Sequence, residues 1–131
     1  MRKSVEVDGL HHAGNPIPAA SRVGPLLISS GINGMDPADG SIPSAVDEQA
    51  RLVFENIDRI MQAAGGTTSD IAKCTFFVRD KSSKGAIDEQ WSAMFPDAES
   101  RPARHTLAYN GLPGPVLLQA EILAYISGAN R

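Results

Sequence analysis

Between Ser44 and Ala64 the apolar positions Val46, Ala50, Val53, Ile57, Ile60, Met61 and Ala64 recur at steps of three and four. That is the period of one face of an α-helix. Ser44 with Asp47 three residues later offers an N-terminal capping box, and Gly65-Gly66 supplies a stop. A second helix is expected over Lys84 to Phe95, with Ile87, Trp91 and Met94 or Phe95 on one face. The remaining apolar stretches are short and β-branched. Strands are expected at KSVEV (3–7), within RVGPLLISSGI (22–32), and over Ile71–Arg79, Ala103–Tyr109 and Val116–Ile126. DGLHHAGNPIPAAS and GMDPADGSIP carry the Gly and Pro of loops and turns. The order is β-β-α-β-α-β-β, with room for further strands between 22 and 43. It predicts an α+β fold, a single domain over 1–131, with two helices on one face of a sheet. Two helices leave the other face open, where an oligomer can cover it.

Strand alternation sorts side chains by face. In the last strand Leu118, Ala120, Ile122, Ala124 and Ile126 form an apolar row for the helix-covered core. Leu117, Gln119, Glu121, Leu123 and Tyr125 form the other row, placing Glu121 mid-strand on a mixed face. In the strand before it, Arg104, Thr106 and Ala108 share one face; Ala103, His105, Leu107 and Tyr109 share the other. If the two strands pair, Arg104 and Glu121 lie on the same sheet face. Such a pair is open to two uses, a structural salt bridge or a site for a substrate carboxylate with a positioned water, and spacing favours the first.

Composition narrows the classes. A net charge of −3 and 5% aromatic residues argue against a surface for nucleic acid. The lone Cys74 excludes an internal disulfide and a cysteine zinc cluster, and reads as a small buried hydrophobe. The first 20 residues lack a signal-peptide core and no apolar run is long enough for a membrane span, so a cytoplasmic protein is expected. His11-His12 has no third ligand at metal spacing and reads as polar loop, with no metal expected. His105 reads as a packed or interface histidine, Asp80-Lys81 and Asp88-Glu89 as solvated charges, and Arg101 as a surface or interface charge. Neither a phosphate-binding glycine loop nor a G-x-S-x-G elbow occurs.

Four stretches, RVGPLLISSGINGMDPADG, QARLVFENIDRIMQAAGGTTSDIAKCTFFVRD, RPARHTL and QAEILAYI, in this order and spacing, resemble the Rid family of reactive-intermediate deaminases, also called YjgF-like. The resemblance covers nearly the whole chain. It implies the fold of bacterial-type chorismate mutase and a homotrimer with sites in the clefts between subunits. The implied chemistry is hydrolysis of enamines or imines to a keto acid and ammonia, without metal or organic cofactor. By the same resemblance Arg104 holds the substrate carboxylate, Glu121 orients or activates the water, and Gly31 lets backbone approach the ligand. The chain departs from the family at three positions. Ile17 follows Asn15-Pro16 where a tyrosine is usual, Ile32 replaces a glutamine, and Asp88 stands at a helix asparagine. His11, His12 and His105 are additions of unassigned role. The departures favour an altered substrate, such as a larger or dicarboxylic enamine, and also suit a non-catalytic keto-acid-binding trimer. Endoribonuclease or translation-inhibitor activity, also known in the family, fits the acidic charge less well.

Overall fold

The computed structural model describes residues 1–127. Among them the chain forms β1 (Arg2–Val5), β2 (Ala20–Val23), β3 (Leu26–Ser29), β4 (Ile32–Asn33), α1 (Val46–Ala63), β5 (Ile71–Val78), α2 (Lys84–Met94), β6 (Ala103–Ala108) and β7 (Leu118–Tyr125). The expected 22–32 element is thus a hairpin, β2 and β3, turning at Gly24-Pro25, followed by the short β4. The seven strands make one sheet in the order β1-β2-β3-β7-β5-β6, with β4 beside β7. All pairs are antiparallel except β5 with β6. Both helices lie on one face, giving the expected α+β, chorismate-mutase-like arrangement.

α1 forms because its apolar stripe has a sheet to cover: Ala50, Val53, Ile57 and Met61 are fully buried. Its start differs from expectation. The N-cap is Ala45, with no side-chain hydrogen bond, so Ser44 and Asp47 do not make a capping box. Tertiary ties fix that end instead: buried Gln49 donates to the Pro43 and Pro115 carbonyls and accepts from Leu117 N. The predicted stop holds: Gly65, at φ +86°, and Gly66 donate back to the Gln62 and Met61 carbonyls in a Schellman closure.

Between the sheet and α2 lies a run of ring contacts. Phe54 stacks on Phe76 at 5.4 Å, Phe76 meets Trp91 edge-on at 6.2 Å, and Trp91 meets Phe95 at 4.8 Å. Cys74 is wholly buried beside them, and burial pushes its thiol up to about 12. The folded protein is therefore expected to resist carbamidomethylation by iodoacetamide at neutral pH and to react fully once unfolded. Mass spectrometry of the two reactions checks this; rapid labelling of native protein overturns the packing described for β5.

Candidate active site on two faces of one sheet

β5 separates β6 from β7, so the condition set from sequence, that Ala103–Tyr109 pairs with the last strand, is not met. The registers then decide the faces. Cys74 of β5 is level with Arg104 on one side and Ile122 on the other, while Thr75 is level with His105 and Glu121. Cys74 and Ile122 are buried under the helices. Arg104 shares their face, and Glu121 shares the open face with Thr75 and His105. The expectation of Arg104 and Glu121 on one face is thus corrected: they lie on opposite faces, because a central strand intervenes and shifts the phase.

On the covered face, the Arg104 side chain is only 16% exposed. Its guanidinium carbon lies 5.4 Å from the Phe76 ring centroid and 5.2 Å from that of Trp91. Nε donates to Thr106 Oγ1 at 3.1 Å, the i+2 neighbour on the same face. Nη2 is 2.8 Å from Asp88 Oδ1. That approach is an ion pair whose N–H is poorly aligned, so among the described residues the buried Nη2 has charge compensation but no well-directed hydrogen bond. Asp88 Oδ2 accepts from Lys84 Nζ at 2.8 Å, one helical turn earlier. Lys84, and after it Arg104, hold the Asp88 carboxyl below its ordinary range. The reading of Asp88 as a solvated charge is therefore corrected: an i,i+4 partner and a neighbouring strand engage it. Arg101 is exposed but tied, Nε donating to the Phe95 carbonyl at 2.8 Å.

The open face carries the other candidates. His105 and Glu121 are exposed there, on either side of Thr75. Beside them the ladder slips: Ile28 faces Leu123 but Ile32 faces Ala120, so four steps on one strand match three on the other. Within this bulge Ser29 Oγ takes over Ile122 N at 2.9 Å, and Ser30 Oγ donates to the Pro18 carbonyl at 2.7 Å. The loop bearing Ile17 is thereby held against Gly31. A Cβ on Gly31 would come within 2.5 Å of Gln119 Cδ, which explains the glycine. Gln119 in turn donates to Asn33 Oδ1 at 2.9 Å, and Asn56 of α1 anchors the Asn33 and Met35 carbonyls.

Ile17 is exposed, whereas Ile32 is buried in the core opposite Ala120, so its side chain is not offered to a ligand. The His12 ring nitrogens approach two carbonyl oxygens, Ile17 at 3.2 Å and Gly31 at 3.0 Å. A neutral imidazole has one N–H and can donate to one of them at a time. His12 is therefore a positioned residue rather than plain loop polarity, while His11 accepts from Ala13 N at 3.3 Å. His12, Ile17, Met35, Pro115 and Gln119 border a largely apolar cleft of ≈ 390 Å³.

Sequence reasoning passed over Thr106, Trp91, Lys84 and Gln119. The signals were present: Arg104 and Thr106 alternate onto one face, and Lys84, Asp88 and Trp91 are spaced for one side of a helix. Gly31→Ala is expected to cost about 1 kcal/mol by evicting Gln119 from Asn33. In a Gln119→Ala background the same change should cost clearly less, as urea denaturation will report.

A family model described as Endoribonuclease L-PSP matches residues 12–126. The 2-iminobutanoate/2-iminopropanoate deaminase of Salmonella typhimurium is 30% identical over 125 residues, covering 95% of this chain and 98% of that protein. The crystal structure of RidA from the Antarctic bacterium Psychrobacter sp. PAMC 21119 has a TM-score of 0.86 at 30% identity, covering 95% of this chain and 99% of that one. Escherichia coli TdcF with bound serine has a TM-score of 0.86 at 32% identity, over 95% and 99% of the two chains. With the fold, the family match and these relatives in agreement, the chain belongs to the Rid (YjgF-like) family.

Proposed function

We propose that the protein hydrolyses reactive enamine or imine intermediates to a keto acid and ammonia, at sites shared between subunits of a homotrimer. The carrying observation is Arg104, a nearly buried guanidinium held over two aromatic rings with one nitrogen short of a directed partner. A planar, always charged group of this kind suits bidentate binding of a carboxylate. The deaminase name of the Salmonella relative and the serine bound to TdcF, itself a carboxylate ligand, support the same reading.

In the reaction, the substrate carboxylate binds Arg104 and fixes the imine carbon. Glu121 accepts a proton from water as the oxygen attacks that carbon. The tetrahedral carbinolamine collapses as its nitrogen gains a proton and leaves as ammonia, so one water is consumed for each C–N bond broken. An enamine enters by first tautomerising to the imine. One chain cannot perform this alone, because Arg104 and Glu121 stand on opposite faces of its sheet. A second copy docked on the open face supplies the missing half. That face exposes Leu26, Ile28, Leu107, Tyr109, Leu123 and Tyr125, an apolar surface suited to such cover. Ile17, without a hydroxyl, favours as second reading a trimer that binds keto acids without turning imines over.

The expected result in a semicarbazide-trapping assay, with an amino-acid oxidase generating the imine, is that wild type suppresses semicarbazone and Arg104→Ala does not. Loss of Arg104 should cost about 2–5 kcal/mol of substrate binding. Arg104→Ala and Glu121→Ala subunits, each inactive alone, should regain about a quarter of wild-type activity when co-refolded at random, since one site in four then has both groups. A mixture as inactive as its parents overturns the shared site.

A further inference from the structure

Arg104 already has a carboxylate beside it. We propose that Asp88 is a specificity-determining residue that competes, as an internal carboxylate, with the substrate carboxylate for Arg104, and that Lys84 receives Asp88 when substrate displaces it. The inference rests on the reading of Arg104 as the carboxylate receptor, and it adds a contest for that receptor.

The geometry carries it. Asp88 divides its two oxygens, Oδ1 at 2.8 Å from Arg104 Nη2 and Oδ2 at 2.8 Å from Lys84 Nζ. Its hold on the guanidinium is the weaker-directed of the two, since Nη2 is left without an aligned hydrogen bond, whereas the Lys84 contact is a true hydrogen bond. Asp88 is 44% exposed against 16% for Arg104, so of the pair it is the partner that solvent and an arriving ligand reach first. Arg104 keeps its Thr106 bond through Nε. A carboxylate arriving at Nη2 therefore meets Asp88 in its place. Two carboxylates at the one Nη2 repel, which favours withdrawal of the less firmly directed of them, and Lys84 on the same helix already holds the other oxygen of Asp88. The depressed titration of Asp88 means the competitor is ionised at neutral pH.

Two consequences follow. Ligands that bring nothing but a carboxylate bind weakly, so affinity must come from the rest of the substrate. The keto-acid product carries the same carboxylate, and the return of Asp88 to Arg104 hastens its departure, an effect on dissociation rate. An uncharged residue at this position would lack both.

Pyruvate is a suitable probe, as a keto acid with no C–N bond to hydrolyse. Trp91, the single tryptophan of the chain, lies 5.2 Å from the guanidinium and reports occupancy by fluorescence, with calorimetry alongside. Asp88→Asn, and separately Asp88→Ala, should tighten pyruvate binding by on the order of tenfold, mostly by slowing dissociation. Lys84→Met should weaken binding in the wild-type background and change little in Asp88→Asn. If both Asp88 variants bind pyruvate more weakly while Arg104→Ala abolishes binding, Asp88 is a brace for Arg104; the competition is then overturned and the receptor stands. If Arg104→Ala binds pyruvate as wild type does, the receptor reading itself fails. An equal loss from Lys84→Met in both backgrounds makes Lys84 a nearby cation only and overturns its part.

Discussion

In β7 every even-numbered side chain from Leu118 to Ala124 is buried, and the intervening residues from Gln119 to Tyr125 are outside the core. This strict alternation is the constraint on which the remaining structure turns. β7 pairs with β3 and β4 on one side and β5 on the other, so its phase is transmitted to the neighbours by hydrogen bonding. A one-residue slip would bury Glu121 and expose Leu118. Two slips occur among the described residues: one lies in the pairing with β5, between Ile71 and Lys73, and the other, at Ser29–Gly31, is confined by the Ser29 hydroxyl, which takes over the orphaned Ile122 amide. The second slip places backbone irregularity where Gly31, Ile17 and His12 meet.

The covered face poses a different problem, since a guanidinium there loses most of its water. Arg104 is accommodated by three compensations at once. Phe76 and Trp91 present π faces, Thr106 accepts a hydrogen bond, and Asp88 supplies the opposite charge. None of the three saturates the group. A cation so placed is kept rigid by the rings and remains able to take an anion, the property a carboxylate receptor requires. The same incompleteness makes the identity of residue 88 matter: Asp there brings charge as well as hydrogen-bonding capacity.

Legibility from sequence followed the range of the forces involved. The stripe of α1 and the two rows of β7 were readable because their periods are local. The Ser44 cap was misread because Gln49 reaches across to Pro115 and Leu117, contacts no local window contains. Whether β6 pairs with β7 stayed open for the same kind of reason. They are consecutive strands, yet α2 returns the chain so that β6 lies parallel to β5, on the side away from β7. A strand-helix-strand succession favours such a parallel neighbour, and that signal was available. Asp88 looked like a solvated helix charge because its i,i+4 partner Lys84 is visible in sequence whereas Arg104 is not.

By itself the sequence determined the α+β class, the helix-covered row of β7, the burial of Cys74 and the family, through periodicity and through residues at matching positions. Tertiary structure alone decided that Arg104 and Glu121 occupy opposite faces, that Asp88 sits against Arg104, and that Ile32 is core. The reason is physical. Which face a side chain takes along one strand follows from a two-residue period, but how the phases of different strands align depends on register and strand order. Those are set by contacts between residues far apart in the chain.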